Sequence, residues 1–287
     1  VYVGSDDGKV YCLNAADGQM VWSHRAAESE RMIPSNGKMI SLWPCRTGVL
    51  IQDGKAFFGA SLVPWNPSWL CAVDIKTGKP IYTIKLSGVT LQGATLASAE
   101  TLYMPQGRGT PLRYALADGK GRGALGGGGG VFCLLTEDDQ FITGPNSQKP
   151  VEQEIRFFGG AKDQMMMSFR GANRILVAGD RAFIHQKDEL VAVDRTLYAS
   201  LVAAKKKDVS SSYLWRKPHV EPFSYILAGK HLWVGSEGRV TRFDADSGAS
   251  TLDLAVVGRP YGLAAANGRL FVSTDRGAIY CFAAELR

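Results

Sequence analysis

Seven side chains of this 287-residue chain have the types that a charged or polar ligand would need: Trp43, Arg46, Trp65, Arg108, Arg170, Arg259 and Tyr261. An eighth, Glu221, could balance their charge. An arginine fork fits the paired oxygens of a carboxylate, phosphate or sulfate, and an aromatic ring stacks on the apolar face of a sugar. Gln92, Gln106, Trp69 and Asp275 stand at equivalent turns. Arg46, Arg108 and Arg170 brought together would repel one another unless Glu221, Asp275 or a bound anion offset them. These arginines outnumber the two carboxylates, so the expected ligand is anionic (sulfate, phosphate or an acidic sugar), with Trp43 and Trp65 flanking it. The competing reading is that the arginines are salt-bridged loop residues and the rings are aromatic plugs.

Catalytic constellations are thin by comparison. His24, His185, His219 and His231 have no metal-binding spacing, and a single histidine at a strand end is usually structural. No CxxC and no adjacent cysteine pair occurs, so neither a zinc site nor a disulfide framework is expected. Cys12, Cys71, Cys133 and Cys281 sit in apolar runs, where a thiol behaves as a small buried hydrophobe. A hard cation wants six or more oxygens, and SDDG at 5–8 and TEDD at 136–139 are better explained as hairpin turns. GALGGGGGV at 123–131 leads into a strand rather than a helix, so it offers no helix N-terminus to a phosphate and reads as a close-packed loop.

The formal charge of +6 raises the question of a nucleic-acid partner. Basic residues are scattered, however, and the one run, KKK at 205–207, reads as a solvated segment. No basic stripe is interleaved with aromatics, so no nucleic acid is expected. No apolar stretch approaches the roughly 18–20 residues of a membrane span. The N-terminus carries no signal-peptide pattern, and a chain opening on a strand residue, Val1, is expected to have been cut from a longer one.

The elements that must position these residues follow from an internal repeat. Thirty-three glycines exceed the usual share of about 7%, so the chain turns often. VYVGSDDGKVYCLNAADG at 1–18 returns as LWVGSEGRVTRFDADSG at 232–248 and as LFVSTDRGAIYCFA at 270–283, with weaker copies at 57–82, 102–125, 141–158 and 182–195. Each copy but the first is preceded by a short apolar run, such as GVLIQDGK at 48–55 or YILAGKH at 225–231. Short alternating runs separated by DG, NG, GD or GK are antiparallel strands joined by tight turns. Closing turns read NAADGQ at 14–19, DIKTGK at 74–79, LADGKG at 116–121 and DADSGA at 244–249. Their Asx side chains bond local backbone while Gly supplies the positive φ.

Four strands per unit of about 40 residues, repeated about seven times, predict an all-β fold: a β-propeller of seven or eight four-stranded antiparallel blades. A pair of β-sandwiches would carry no such period. Residues 1–24 supply strands two to four of a blade, and 262–284 supply strands one to three. A single propeller domain over 1–287, closed around an axial funnel, therefore needs about two further strands or more upstream of residue 1. Two insertions interrupt the rhythm, at 25–45 and at 196–208, and the helical apolar spacing of the second predicts a short helix. In a propeller the loops before each first strand and those between strands two and three emerge on one side, and the candidate residues named at the outset occupy those two classes of loop.

VYVGSDDGKVYCLNAADGQMVW at 1–22 resembles the repeat of pyrroloquinoline-quinone-like propellers, with Trp22 and Trp215 at its closing tryptophan. SLWPCRTGVL at 41–50 is similar to a segment of bacterial propeller-repeat proteins of that kind, which are often exported and sometimes fused to other domains. The resemblance implies a periplasmic or extracellular protein. Quinone-dependent alcohol dehydrogenases of the superfamily stack an adjacent-cysteine disulfide on their cofactor, and this chain has no adjacent cysteines. No cofactor is therefore expected, and pyrroloquinoline quinone with calcium is the minor alternative. The resulting expectation is a non-catalytic binding or scaffolding module for a protein partner or for an anionic or carbohydrate ligand. The alternative is a quinone-dependent oxidoreductase or a hydrolase.

Overall fold

The computed structural model describes residues 1–107, 109–126, 129–130, 132–145, 153–159 and 164–283. Its strands form consecutive antiparallel meanders in sequence order. The first sheet holds Tyr2–Gly4, Lys9–Leu13 and Met20–Arg25. Four-stranded sheets follow at 50–86, 96–124, 133–170, 172–218 and 224–255, and a last sheet holds Pro260–Ala266, Arg269–Thr274 and Ile279–Ala283. The sheets are not closed: the first and the last have three strands each, and among the described residues no ladder joins them. Three strands in the first sheet and three in the last agree with the expectation for residues 1–24 and 262–284, and the described sheets do not form the closed ring.

The chain divides into two compact units, Val1–Pro150 with Phe157–Met165, and Val151–Arg156 with Met166–Arg287. In the first unit, the second sheet shows why the sequence reads as almost unbroken apolar runs. Ala56, Phe58, Cys71 and Val73 face the first sheet, joining Val10, Cys12 and Trp22 in one core. Phe57, Leu70 and Ala72 point the other way, against Leu102, Met104 and Tyr114 of the third sheet. Successive strand residues alternate faces, so a strand covered on both sides can have no polar face. In the second unit, Phe183, Leu190, Ala192 and Trp215 meet Leu232, Val234 and Phe243, while Val240 and Val256 meet Leu270 and Val272.

Neighbouring sheets are also locked by one aromatic side chain seated on the next sheet's closing turn. Trp22 donates its indole N–H to the Ile75 carbonyl at 2.9 Å, and Trp215 does the same to Ala245 at 2.9 Å. Both rings lie on a glycine of positive φ. A β-carbon at Gly78 would stand 2.7 Å from Trp22 Cδ2, and one at Gly248 would stand 2.6 Å from Trp215 Cδ2. Glycine is required here for backbone and for space. Tyr82 seats on Gly119 in the same manner and donates to the Leu116 carbonyl at 3.5 Å.

Both insertions acquire structure. Within 25–45 a two-stranded hairpin forms, Met32–Ser35 against Lys38–Ser41, turning at Asn36 and Gly37 with φ of 46° and 78°. Within 196–208 lies most of the helix Arg195–Ala203, capped by Asp194, which accepts from the Leu197 amide at 2.8 Å. Tyr198 anchors that helix by donating to the Ser168 carbonyl at 2.9 Å. All five cysteines are free, and Cys281, expected to be buried, is exposed. It lies on the face of the last sheet turned away from Leu270 and Val272, with Ile279 beside it 79% exposed. Among the described residues no helix is long and apolar enough to cross a membrane.

Candidate functional site

The meander topology puts the loops between strands two and three at the same end of each sheet as the loops that precede strand one. Hydrogen bonds join the two classes. In the first unit Cys45 N donates to Ser5 O at 3.0 Å, the Ser61 hydroxyl donates to Leu91 O at 3.0 Å, and Gln92 N donates to Pro105 O at 2.9 Å. In the second, Arg259 N donates to the Asp275 carboxylate at 2.7 Å.

Arg46 is ion-paired with Asp6, Nε to Oδ1 at 2.6 Å, and the two side chains are 50% and 39% exposed. That donated hydrogen bond holds the Asp6 carboxyl below its ordinary range. Trp43 and Trp69 are buried and meet edge to face, with centroids 6.4 Å apart. Both indole N–H groups are buried without an acceptor. Trp69 lies in the strand Ser68–Asp74 rather than in the loop, and Lys85 stands over its ring at 5.4 Å. Trp65 is 80% exposed on the loop between Ala60 and Ser68. Gln92 and Gln106 form an isolated bridge. Arg108 lies outside the described residues.

In the second unit Arg170 ends a strand with its side chain 92% exposed and Nε 3.8 Å from Glu154. Glu221 stands 3.8 Å from Arg174. Arg259 reaches Glu237 at 3.5 Å and lies over the Phe223 ring at 5.5 Å. Tyr261, 54% exposed, meets the same ring edge to face at 5.3 Å. Among the described residues no three His, Cys, Asp or Glu side chains cluster as a metal ion would require.

Sequence reasoning missed Asp6, Glu154, Glu237 and Phe223. For Asp6 and Glu237 the signal was available. SDDG at 5–8 and SEGR at 236–239 are both loops between strands two and three, the same class as the loop that carries Trp65. Glu154 and Phe223 carried no such signal, since only the fold brings them beside Arg170 and Arg259.

Residues 1–125 match the family model described as outer membrane protein assembly factor BamB. No curated protein matches the chain. The crystal structure of BamB from Moraxella catarrhalis is similar with a TM-score of 0.61 and 15% identity, covering 99% of this chain and 81% of that one. The computationally designed Ika8 protein is similar with a TM-score of 0.62 and 12% identity, covering 99% of this chain and 93% of that one. The chain thus has a propeller-like fold similar to that of these structures, and its residues 1–125 match the BamB family model.

Proposed function

We propose that the chain is a non-catalytic binding or scaffolding module, working in the periplasm or outside the cell, that takes its partner or ligand at the loop end of its sheets. One observation carries the reading: guanidinium–carboxylate couples recur at the loop ends of the sheets, each partly open to water, and the Arg259–Glu237 couple has the exposed Tyr261 ring near it. Exposed pairs of this kind contribute only about 0–1 kcal/mol. A ligand phosphate, sulfate or carboxylate can therefore take the place of Asp6 on Arg46 at little cost. The new charge-assisted bond contributes on the order of 1.5–3 kcal/mol. The fold's likeness to an assembly factor agrees with a scaffolding role.

Calorimetric titration with sulfate, phosphate, acidic oligosaccharides and acidic peptides tests the reading. We expect saturable binding by at least one of these classes, weakened about tenfold by Arg46→Ala, the equivalent of about 1.4 kcal/mol, with no change in melting temperature. The absence of saturable binding, or binding that ignores the substitution, would leave Arg46 as an ordinary partner of Asp6.

A further inference from the structure

Lys205, Lys206 and Lys207 follow the helix Arg195–Ala203, and all of 203–208 is exposed. Among the described residues none of the three lysines forms an ion pair, whereas Arg46, Arg181, Arg216 and Arg259 each have one. The acid that follows them, Asp208, is engaged locally: its carboxylate accepts from the Ser210 amide at 2.8 Å. The backbone adds a second observation. Lys205 N donates to Val202 O at 2.9 Å and Lys206 N to Leu201 O at 3.0 Å, the paired bonds that end a helix on a residue of left-handed conformation. Glycine fits that position without steric strain, yet Lys205 holds it with a φ of 54°. A cation near a helix C-terminus offsets the last carbonyls, and one lysine at 206 or 207 would do so. Three, one of them where glycine fits best, exceed that need.

The helix carries an apolar stripe into these lysines. Tyr198 is buried, with its ring 4.4 Å from that of Phe169 and its hydroxyl on the Ser168 carbonyl, so one face is fixed to the protein. Leu197, 38% exposed, half-buried Leu201 and exposed Ala204 follow at intervals of four and three residues, which places them in one row on the helix surface. All of these residues lie within the second unit, in the connection between two adjacent strands of one sheet, far in sequence from either end of the chain. We infer that this connection docks on the headgroup region of an anionic phospholipid bilayer, with Lys205, Lys206 and Lys207 on lipid phosphates and Leu197 at the boundary of headgroups and acyl chains. Ammonium groups on flexible stems suit phosphates scattered over a surface, whereas the carboxylates of a protein partner are better held by arginine's planar fork. Apolar residues leading into cations on one helix are the pattern of an element lying in a membrane interface. This surface is at the opposite end of the strands from the proposed loop site, so either can fail without the other.

The test is sedimentation of the intact chain with vesicles of phosphatidylcholine alone, or of phosphatidylcholine mixed with an equal share of phosphatidylglycerol, at about 0.01 M salt, where the screening length is about 30 Å. We expect binding to the mixed vesicles and none to phosphatidylcholine. Each lysine near an anionic surface strengthens partitioning about fivefold, so Lys205→Gln, Lys206→Gln and Lys207→Gln together should weaken it about a hundredfold. The control combines Lys76→Gln, Lys79→Gln and Lys120→Gln, which removes the same three charges from exposed positions of closing turns in the first unit and should retain most of the binding. Lys205→Gly should melt higher than the parent, because glycine relieves the left-handed position, yet bind about fivefold more weakly. Equal binding by the two triple variants, equal binding to both kinds of vesicle, or no sedimentation with the mixed vesicles would each overturn the proposal. Lysine-dependent binding of polyglutamate by a chain that ignores the vesicles would also overturn it, since the occupant would then be an acidic protein.

Discussion

The tryptophans at 22 and 215 show how a single side chain can join two sheets. Each buries a large ring against backbone and satisfies its one polar hydrogen on a carbonyl of the neighbouring turn. Trp215→Ala should therefore cost about 3–5 kcal/mol, read as a fall in the denaturant midpoint. Trp215→Phe, which keeps most of the ring and loses the hydrogen bond, should cost less. Gly248→Ala and Gly54→Ala form a matched pair, because both glycines have positive φ but only Gly248 lies under a ring. The first should be the more damaging, and equal losses would mean that the seat is loose. Trp22 and Trp215 were legible in the sequence as the closing aromatic of the repeat. Tyr82 was not read as their equivalent, because it closes one of the weaker copies and tyrosine stands in place of tryptophan. Cys281 was misread for another reason: an alternating run specifies two faces, but whether both are covered depends on neighbouring elements.

Turns fix the element scale. The closing turns depend on carboxylates, and hydrogen bonds hold three of these below their usual titration range: the Thr77 hydroxyl on Asp74, the Lys120 amide on Asp118 and the Ser247 hydroxyl on Asp244. A depressed folded-state value means that the stabilisation is complete above the ordinary value of 3.8 and is lost as pH falls through the lower, folded value. The melting-temperature advantage of the parent over Asp74→Ala should accordingly be full at pH 6 and shrink below about pH 3.8. A gap that stays constant down to pH 2.5 would contradict this. Most strands were legible because both faces of the inner ones are apolar, which leaves little room for another assignment. The hairpin within 25–45 went unread although its signal was present. Asn36 and Gly37 form the two-residue turn with both φ positive that joins tightly paired strands, but its position outside the repeat hid it.

At the scale of the whole molecule, fold and function separate. A propeller-like fold cannot by itself name a ligand, so the functional claim rests on what this chain places at its loop end. The loops that carry the candidates could be listed from the repeat alone. The pairs they form could not, because Arg46 with Asp6 and Arg259 with Glu237 depend on how consecutive strands end. The central claim is that the anionic ligand binds at the loop end of the sheets. Amide hydrogen exchange, with and without the tightest-binding ligand of the calorimetric panel, tests it most directly. The account predicts slowed exchange in 42–47, 61–69 or 257–261, with the turn at 74–79 unchanged; protection confined to the closing turns, or none at saturating ligand, would contradict it.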